Sequence, residues 1–205
     1  MTEVVVVTGA SAGVGRATAC ELARQGASVA LIARGQAGLE GARRDVERLG
    51  GRALVVPADV ADAEQVEAAA ERIESELGPV DVVVANAGGN TTPPGDVEAM
   101  RPEEFRSIVD GNLTATFLTI KTFLPGMKER RRGAIVTISS AAARRAGVRN
   151  PVAYASPHRK PWRSAPSLRP RPVHVQQGSH RPLSKRARSA MLLRSAQALR
   201  SSSAD

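Results

Sequence analysis

Five short runs of β-branched residues punctuate the first 139 positions: VVVVT at 4–8, SVALIA at 28–33, ALVVP at 53–57, DVVVAN at 81–86 and AIVTIS at 134–139. Each is apolar on successive residues and not on alternate ones, the pattern of strands covered on both faces. Every interval between them carries a helical period. Strand, helix and strand, repeated, fold as right-handed βαβ units into a doubly wound parallel sheet of about five strands.

The helices carry their own start and stop signals. VGRATACELARQG stops at Gly26, GLEGARRDVERLGG stops at Gly50, and DAEQVEAAAERIESELG opens on Asp62 as N-cap, with Gln65 three residues on, and closes at Gly78. A longer pattern over 101–130 divides into two helical segments meeting near Asp110 and Gly111.

Beyond Ser156 this regularity ends. Residues 1–155 hold 18 Lys and Arg against 19 Asp and Glu, a net of −1, whereas residues 156–205 hold 11 against 1, a net of +10. The strongly basic balance of the whole chain is thus a property of its tail. Six prolines fall between 157 and 182, and ten serines lie in 156–205. Such a segment has too few apolar groups to offset the entropy of ordering it, so 157–183 is expected to be disordered. Met191, Leu192, Leu193, Ala196 and Leu199 can share one side of a short basic helix, which is marginal in isolation. The expected organisation is a domain over 1–156 and a basic tail over 157–205.

The single cysteine, Cys20, permits no intrachain disulfide and fits a reducing compartment. The N-terminus reads as a strand and not as a signal peptide, and no apolar stretch is long enough to span a membrane. A cytoplasmic location is expected.

The first strand meets the first helix through Gly9, Gly13 and Gly15 in VVVVTGASAGVGRATA. Glycines at a strand-to-helix turn admit a pyrophosphate to the backbone, where free N–H groups and the helix dipole favour its charge. The spacing is G-x-x-x-G-x-G. Taken with ANAGG at 85–89, Asn112, IVTISS at 135–140 and Tyr154 in order, it resembles the short-chain dehydrogenase/reductase family. The resemblance implies a Rossmann-like fold and hydride transfer between a nicotinamide dinucleotide and a small carbonyl or alcohol substrate.

Carried onto this chain, the resemblance implies that Gly9, Ser11, Gly13, Val14 and Gly15 line the diphosphate and adenosine ribose. Asp59 and Val60 would contact the adenine, although Asp59 also reads as a turn residue after a strand. Asn86, Ala87 and Gly88 would lie near the ribose and shape the sheet centre. The second strand ends in Ala33 and Arg34, where a reader of NAD is expected to place an acid for the ribose 2′-hydroxyl. A guanidinium there can instead pair bidentately with a 2′-phosphate, so NADP is the expected cofactor over NAD. Tyr154 would exchange the proton, Ser140 would supply a second hydroxyl, and Asn112 would hold a relay water. Ser139, one position earlier, is turned to the other side by strand alternation. A metal plays no part in this reading.

The chain then departs from the family. A lysine is expected four residues after the tyrosine, on the same helix face; position 158 is His158. A mostly neutral imidazole does not favour the phenolate as an ammonium does. Lys160, six residues on, falls on another face. Pro157, Pro161 and Pro166 oppose the helix that would present both groups. No later segment resembles the family's remaining strands, and the change of texture is what a reading-frame shift or a fusion would produce. The expectation is a truncated or C-terminally altered oxidoreductase with impaired turnover. The alternatives are a non-catalytic dinucleotide-binding module, or a protein whose tail binds nucleic acid or acidic lipid. Any nucleic-acid binding through the tail is expected to be non-specific, since Trp162 is its lone aromatic residue. A homo-oligomer through the long helix at 112–128 is a further possible assembly.

Overall fold

The computed structural model describes residues 2–89 and 97–140. The expected strands form β1 (Val4–Thr8), β2 (Ser28–Ala33), β3 (Arg52–Pro57), β4 (Val82–Ala85) and β5 (Ala134–Thr137). Between them run α1 (Gly13–Arg24), α2 (Gln36–Arg48), α3 (Ala63–Leu77), α4 (Pro102–Val109) and α5 (Ala115–Glu129). All strands are parallel in the order β3-β2-β1-β4-β5. The fold is the Rossmann-like doubly wound sheet expected from the sequence.

Strand alternation divides the core into two layers. Val4, Val6, Ala30, Ile32, Leu54 and Val56 face Val66, Ile73, Phe123 and Met127, which belong to α3 and α5. Val5, Val7, Val29, Leu31 and Val55 face Leu22, Leu39 and Val46 of α1 and α2. Because both faces are covered, the valines of β1 have no polar alternation to show. Val5, Val6 and Val7 have no solvent exposure at all.

Expected strands 81–86 and 134–139 are shorter in the structure for a local reason. Asp81 precedes β4 with its backbone still bonded to Val4 and Ala134, while its side chain accepts from the Val4 N–H at 3.1 Å and its other oxygen pairs with Arg132 at 3.0 Å. Asn86 begins a loop. β5, the outermost described strand, is exposed at both ends and half-buried between them.

Helix ends follow a common rule with one exception. At the end of α1, Ala27 N–H donates to the Leu22 carbonyl and Gly26 N–H to that of Ala23, with Gly26 at φ 92°. Gly51 and Gly50 close α2 in the same way, with Gly50 at φ 76°. Both are Schellman ends, and glycine supplies their left-handed residue without a Cβ penalty. α5 ends by the same pair of bonds, Arg132 to Met127 and Arg131 to Lys128, but its left-handed residue is Arg131 at φ 51°. Asp62 caps α3 by accepting from the Gln65 N–H at 3.2 Å. The Gln65 side-chain Oε1 accepts from the Asp59 N–H, so the reciprocal arm reaches further back than a capping box.

The long 101–130 pattern breaks where expected. Between α4 and α5 lies one turn of π-helix, Asp110–Thr114. Such turns commonly mark functional positions, and this one carries Asn112.

Candidate functional site

The strand order reverses between β1 and β4, and ligands of doubly wound sheets bind outside the C-terminal ends of the strands at such a point. Here the Gly-rich turn leaves β1. Gly9 (φ 66°) and Gly13 (φ 54°) adopt conformations that side chains disfavour. A Cβ on Gly15 would overlap the Gly9 carbonyl and lie 2.6 Å from Asn86 Nδ2. One on Gly9 would lie 2.9 Å from the same nitrogen. The turn and the loop after β4 are thus in backbone contact. No side chain caps α1 at Ala12 and no acid occupies its first turn, so its positive end stays available to an anion.

Thr8 holds the two segments together. Its hydroxyl oxygen accepts from the Asn86 N–H at 3.0 Å and the Ala87 N–H at 2.9 Å, while Asn86 Nδ2 donates to the Thr8 carbonyl at 3.0 Å. Thr8 is 1% exposed. Sequence reasoning did not single it out. Its signal was the one hydroxyl ending an otherwise all-valine strand. Arg16, also missed, reaches from α1 to Asp45 of α2 at 2.7 Å. That hydrogen bond is the first cause holding the Asp45 carboxyl below its ordinary range. A Cβ on Gly38 would meet the Ser11 Cβ at 2.9 Å, so α2 also packs directly on the turn.

On the other side of the switch point, Asn112 is 4% exposed. Its Nδ2 donates to the Gly89 carbonyl at 2.9 Å and the Ile108 carbonyl at 2.7 Å, and its Oδ1 accepts from the Gly89 N–H at 2.9 Å. The side chain is fully used in clamping the loop. Its own carbonyl accepts from the Thr116 hydroxyl at 2.7 Å. Gly88 allows this approach, since a Cβ there would stand 2.6 Å from Asn112 Oδ1.

The remaining expected residues are distributed as follows. Arg34 is exposed at the end of β2 and enters no ion pair among the described residues. Next to it, α2 starts at Gly35 with no side-chain cap and no acid in its first turn. Asp59 behaves as the turn residue that was its second reading, its Oδ1 accepting from the Ala61 N–H at 3.0 Å. Val60 is 7% exposed and packs into the core beside α3. Val14 is half-buried. Ser140 is half-buried and Ser139 exposed, and both lie beyond the end of β5. Tyr154, His158 and the tail lie outside the described residues. Cys20 is half-buried in α1, its thiol held above the usual range by burial and then by Asp45.

The Gly-rich turn at the switch point of a doubly wound sheet defines a Rossmann-type NAD(P)-binding fold. Open space at the Cβ position of Gly13 and the uncapped start of α1 fit the approach of a dinucleotide diphosphate to the turn. The family model described as short chain dehydrogenase matches residues 3–157, and the chain belongs to that family of oxidoreductases. A 3-oxoacyl-[acyl-carrier-protein] reductase of Staphylococcus aureus is 36% identical over 141 residues, covering 68% of this chain and 56% of that protein. Among solved structures, a 3-oxoacyl-[acyl-carrier protein] reductase with bound NAD from Brucella melitensis matches with TM-score 0.71 and 36% identity, covering 76% of this chain and 60% of that one. Actinorhodin polyketide ketoreductase with NADPH matches with TM-score 0.72 and 32% identity, covering 77% and 60%. The chain therefore spans less than two thirds of each of these relatives. No described helix is long and apolar enough to cross a membrane, and the described residues contain no cluster suited to a metal ion.

Proposed function

We propose that residues 1–156 form the dinucleotide half of an NADP-dependent carbonyl or alcohol oxidoreductase whose turnover is impaired. Bound NADP(H) would supply or accept a hydride. Gly9, Ser11, Gly13, Val14 and Gly15 would hold its diphosphate and ribose, Asp59 and Val60 would border the adenine, and Asn86, Ala87 and Gly88 would set the floor near the nicotinamide ribose. The observation that carries the cofactor choice is Arg34, exposed and without an ion-pair partner among the described residues, beside an uncapped helix start. A 2′-phosphate would satisfy both at once. A ribose 2′-hydroxyl would find no acid there.

Tyr154 would exchange a proton with the substrate oxygen, with the Ser140 hydroxyl donating to the same atom. Asn112 would act through its clamp on Gly89, and a relay water would have to share its carbonyl with Thr116. His158 in place of lysine, between prolines, is the reason for expecting impairment. A dinucleotide-binding module without turnover is the second reading, favoured by that same position. The compartment proposed is the cytoplasm, and the tail is assigned only salt-sensitive, sequence-independent contacts with polyanions.

Calorimetric titration of the full chain with NADPH and NADH tests the reading, followed by NADPH oxidation against ketones and aldehydes. NADPH should bind more tightly than NADH, Arg34→Ala should erase the difference, and turnover should be slight. Equal affinities in the unmodified chain would remove the NADP assignment. Brisk turnover abolished by Tyr154→Phe would remove the impairment. Binding with no turnover on any substrate would favour the module.

A further inference from the structure

α2 meets the Gly-rich turn and α1 along one stripe of its surface, Gly38, Gly41 and Asp45, spaced as i, i+3 and i+7 on a helix face. A Cβ on Gly38 would meet the Ser11 Cβ, and one on Gly41 would stand 3.2 Å from Arg16 Nη1. The Arg16 guanidinium therefore lies across the second glycine. Beyond it, one carboxylate oxygen of Asp45 accepts from Arg16 Nε at 2.7 Å and pairs with Nη2 at 2.5 Å. The other oxygen accepts from Arg48, one turn further along α2, at 2.5 Å, which fixes the orientation of the carboxylate. Among the described residues, Arg16–Asp45 is the one ion pair that joins two helices.

The apolar side of α2, formed by Leu39, Ala42 and Val46, presses on the sheet. Attraction of that kind is non-directional. On the stripe facing the turn, the two glycines offer no side chain to interlock, so the charged hydrogen bonds of Arg16 and Asp45 supply the directional contact. Both ends of this bridge lead to the candidate dinucleotide site. Arg16 follows Gly15, which packs too closely on the Gly9 carbonyl and the Asn86 amide to carry a Cβ. Asp45 belongs to the helix whose uncapped start at Gly35 directly follows the exposed Arg34.

We infer that Arg16 and Asp45 are positioning residues for the choice of dinucleotide: their bridge holds the start of α2, and Arg34 with it, at the spacing from the Gly-rich turn that a 2′-phosphate completes. The inference rests on the NADP reading of Arg34 and extends it to two residues that act on the cofactor only through Arg34. Pairing of a guanidinium with a phosphate is demanding in geometry. A shift of α2 would therefore lose the 2′-phosphate contact, while the diphosphate, held by the turn itself, would keep its partners. NADPH binding depends on the bridge and NADH binding does not. Charge alone would give the opposite sign, since removing the Asp45 carboxylate should favour the more anionic dinucleotide.

Calorimetric titration of the full chain with NADPH and NADH separates these effects, with urea denaturation showing that each variant is folded. Asp45→Ala should weaken NADPH binding by roughly fivefold or more, within the range of coupling inside one network, and leave NADH within about twofold. Arg16→Ala should give the same selective loss. Asp45→Asn, which keeps an acceptor for Arg16, should retain most of the preference. In an Arg34→Ala background, Asp45→Ala should have no further effect on NADPH, because the residue it acts through is gone. Unchanged or tighter NADPH binding in Asp45→Ala, an equal loss for both dinucleotides, or a loss that persists without Arg34 would each overturn the inference and leave the NADP reading in place. An unmodified chain with no preference for NADPH would overturn both.

Discussion

Replacing Asn112 by alanine removes three hydrogen bonds at once, those to the Gly89 N–H, the Gly89 carbonyl and the Ile108 carbonyl. Each bond is worth about 1 kcal/mol net in a folded protein. Gly89 is exposed and water can replace its lost partners in part, but Ile108 is 2% exposed and its carbonyl would lose a buried donor. The expected destabilisation is therefore about 2–4 kcal/mol, a large share of a domain's total stability. Asn112→Asp should be at least as harmful near neutral pH. It retains an acceptor for the Gly89 N–H, but sets carboxylate oxygens against two carbonyls in a nearly buried place. Urea denaturation measures the stability, and amide hydrogen exchange at Gly89 locates the effect, since opening that loop no longer requires breaking the clamp. A loss below about 1 kcal/mol in Asn112→Ala, with Gly89 exchange unchanged, would refute the argument that this side chain ties the π-turn to the loop after β4.

Two further outcomes follow from helix ends. Arg131→Gly should raise stability by roughly 1 kcal/mol, because it relieves a left-handed residue bearing a Cβ at the Schellman end of α5. An unchanged or lower melting temperature would show that the arginine side chain offsets its own backbone cost. Asp62 has its carboxyl held below the ordinary range by the Gln65 N–H and then by the Gln65 side chain. The folded value is the depressed one, so its contribution is complete above the unfolded value of about 4 and is lost as pH falls through the folded value. Asp62→Asn should flatten that part of the acid limb, measured as urea midpoints from neutral pH downward. An identical acid limb in both proteins would show that the cap does not titrate with folding.

The sheet was legible in the sequence because burial on both faces leaves a one-dimensional mark. VVVVT and SVALIA emerge with the same bounds as β1 and β2, since burial on both faces makes successive residues of a short strand apolar. Gly26 and Gly50 were equally plain, because a left-handed helix end is a local demand met by one residue type. Arg131 shows the limit of that signal, for the same turn forms there on a residue that does not announce it. The Gly-rich turn was readable by spacing, yet its tightness was not. That Gly15 must lack a Cβ because of Gly9 and Asn86 depends on β4 lying beside β1, a pairing between residues nearly 80 positions apart. Thr8 and Asn112 belong wholly to that second level. A threonine ending a strand and an asparagine within a helix have many local uses, and nothing in the linear order says whose N–H they will meet. Their roles arise when the sheet order brings the ends of β1 and β4 together and sets the π-turn against the loop that follows. Hydrophobic periodicity depends on near neighbours and is written along the chain. Hydrogen bonds between distant segments depend on where the backbone returns, which only the folded topology decides.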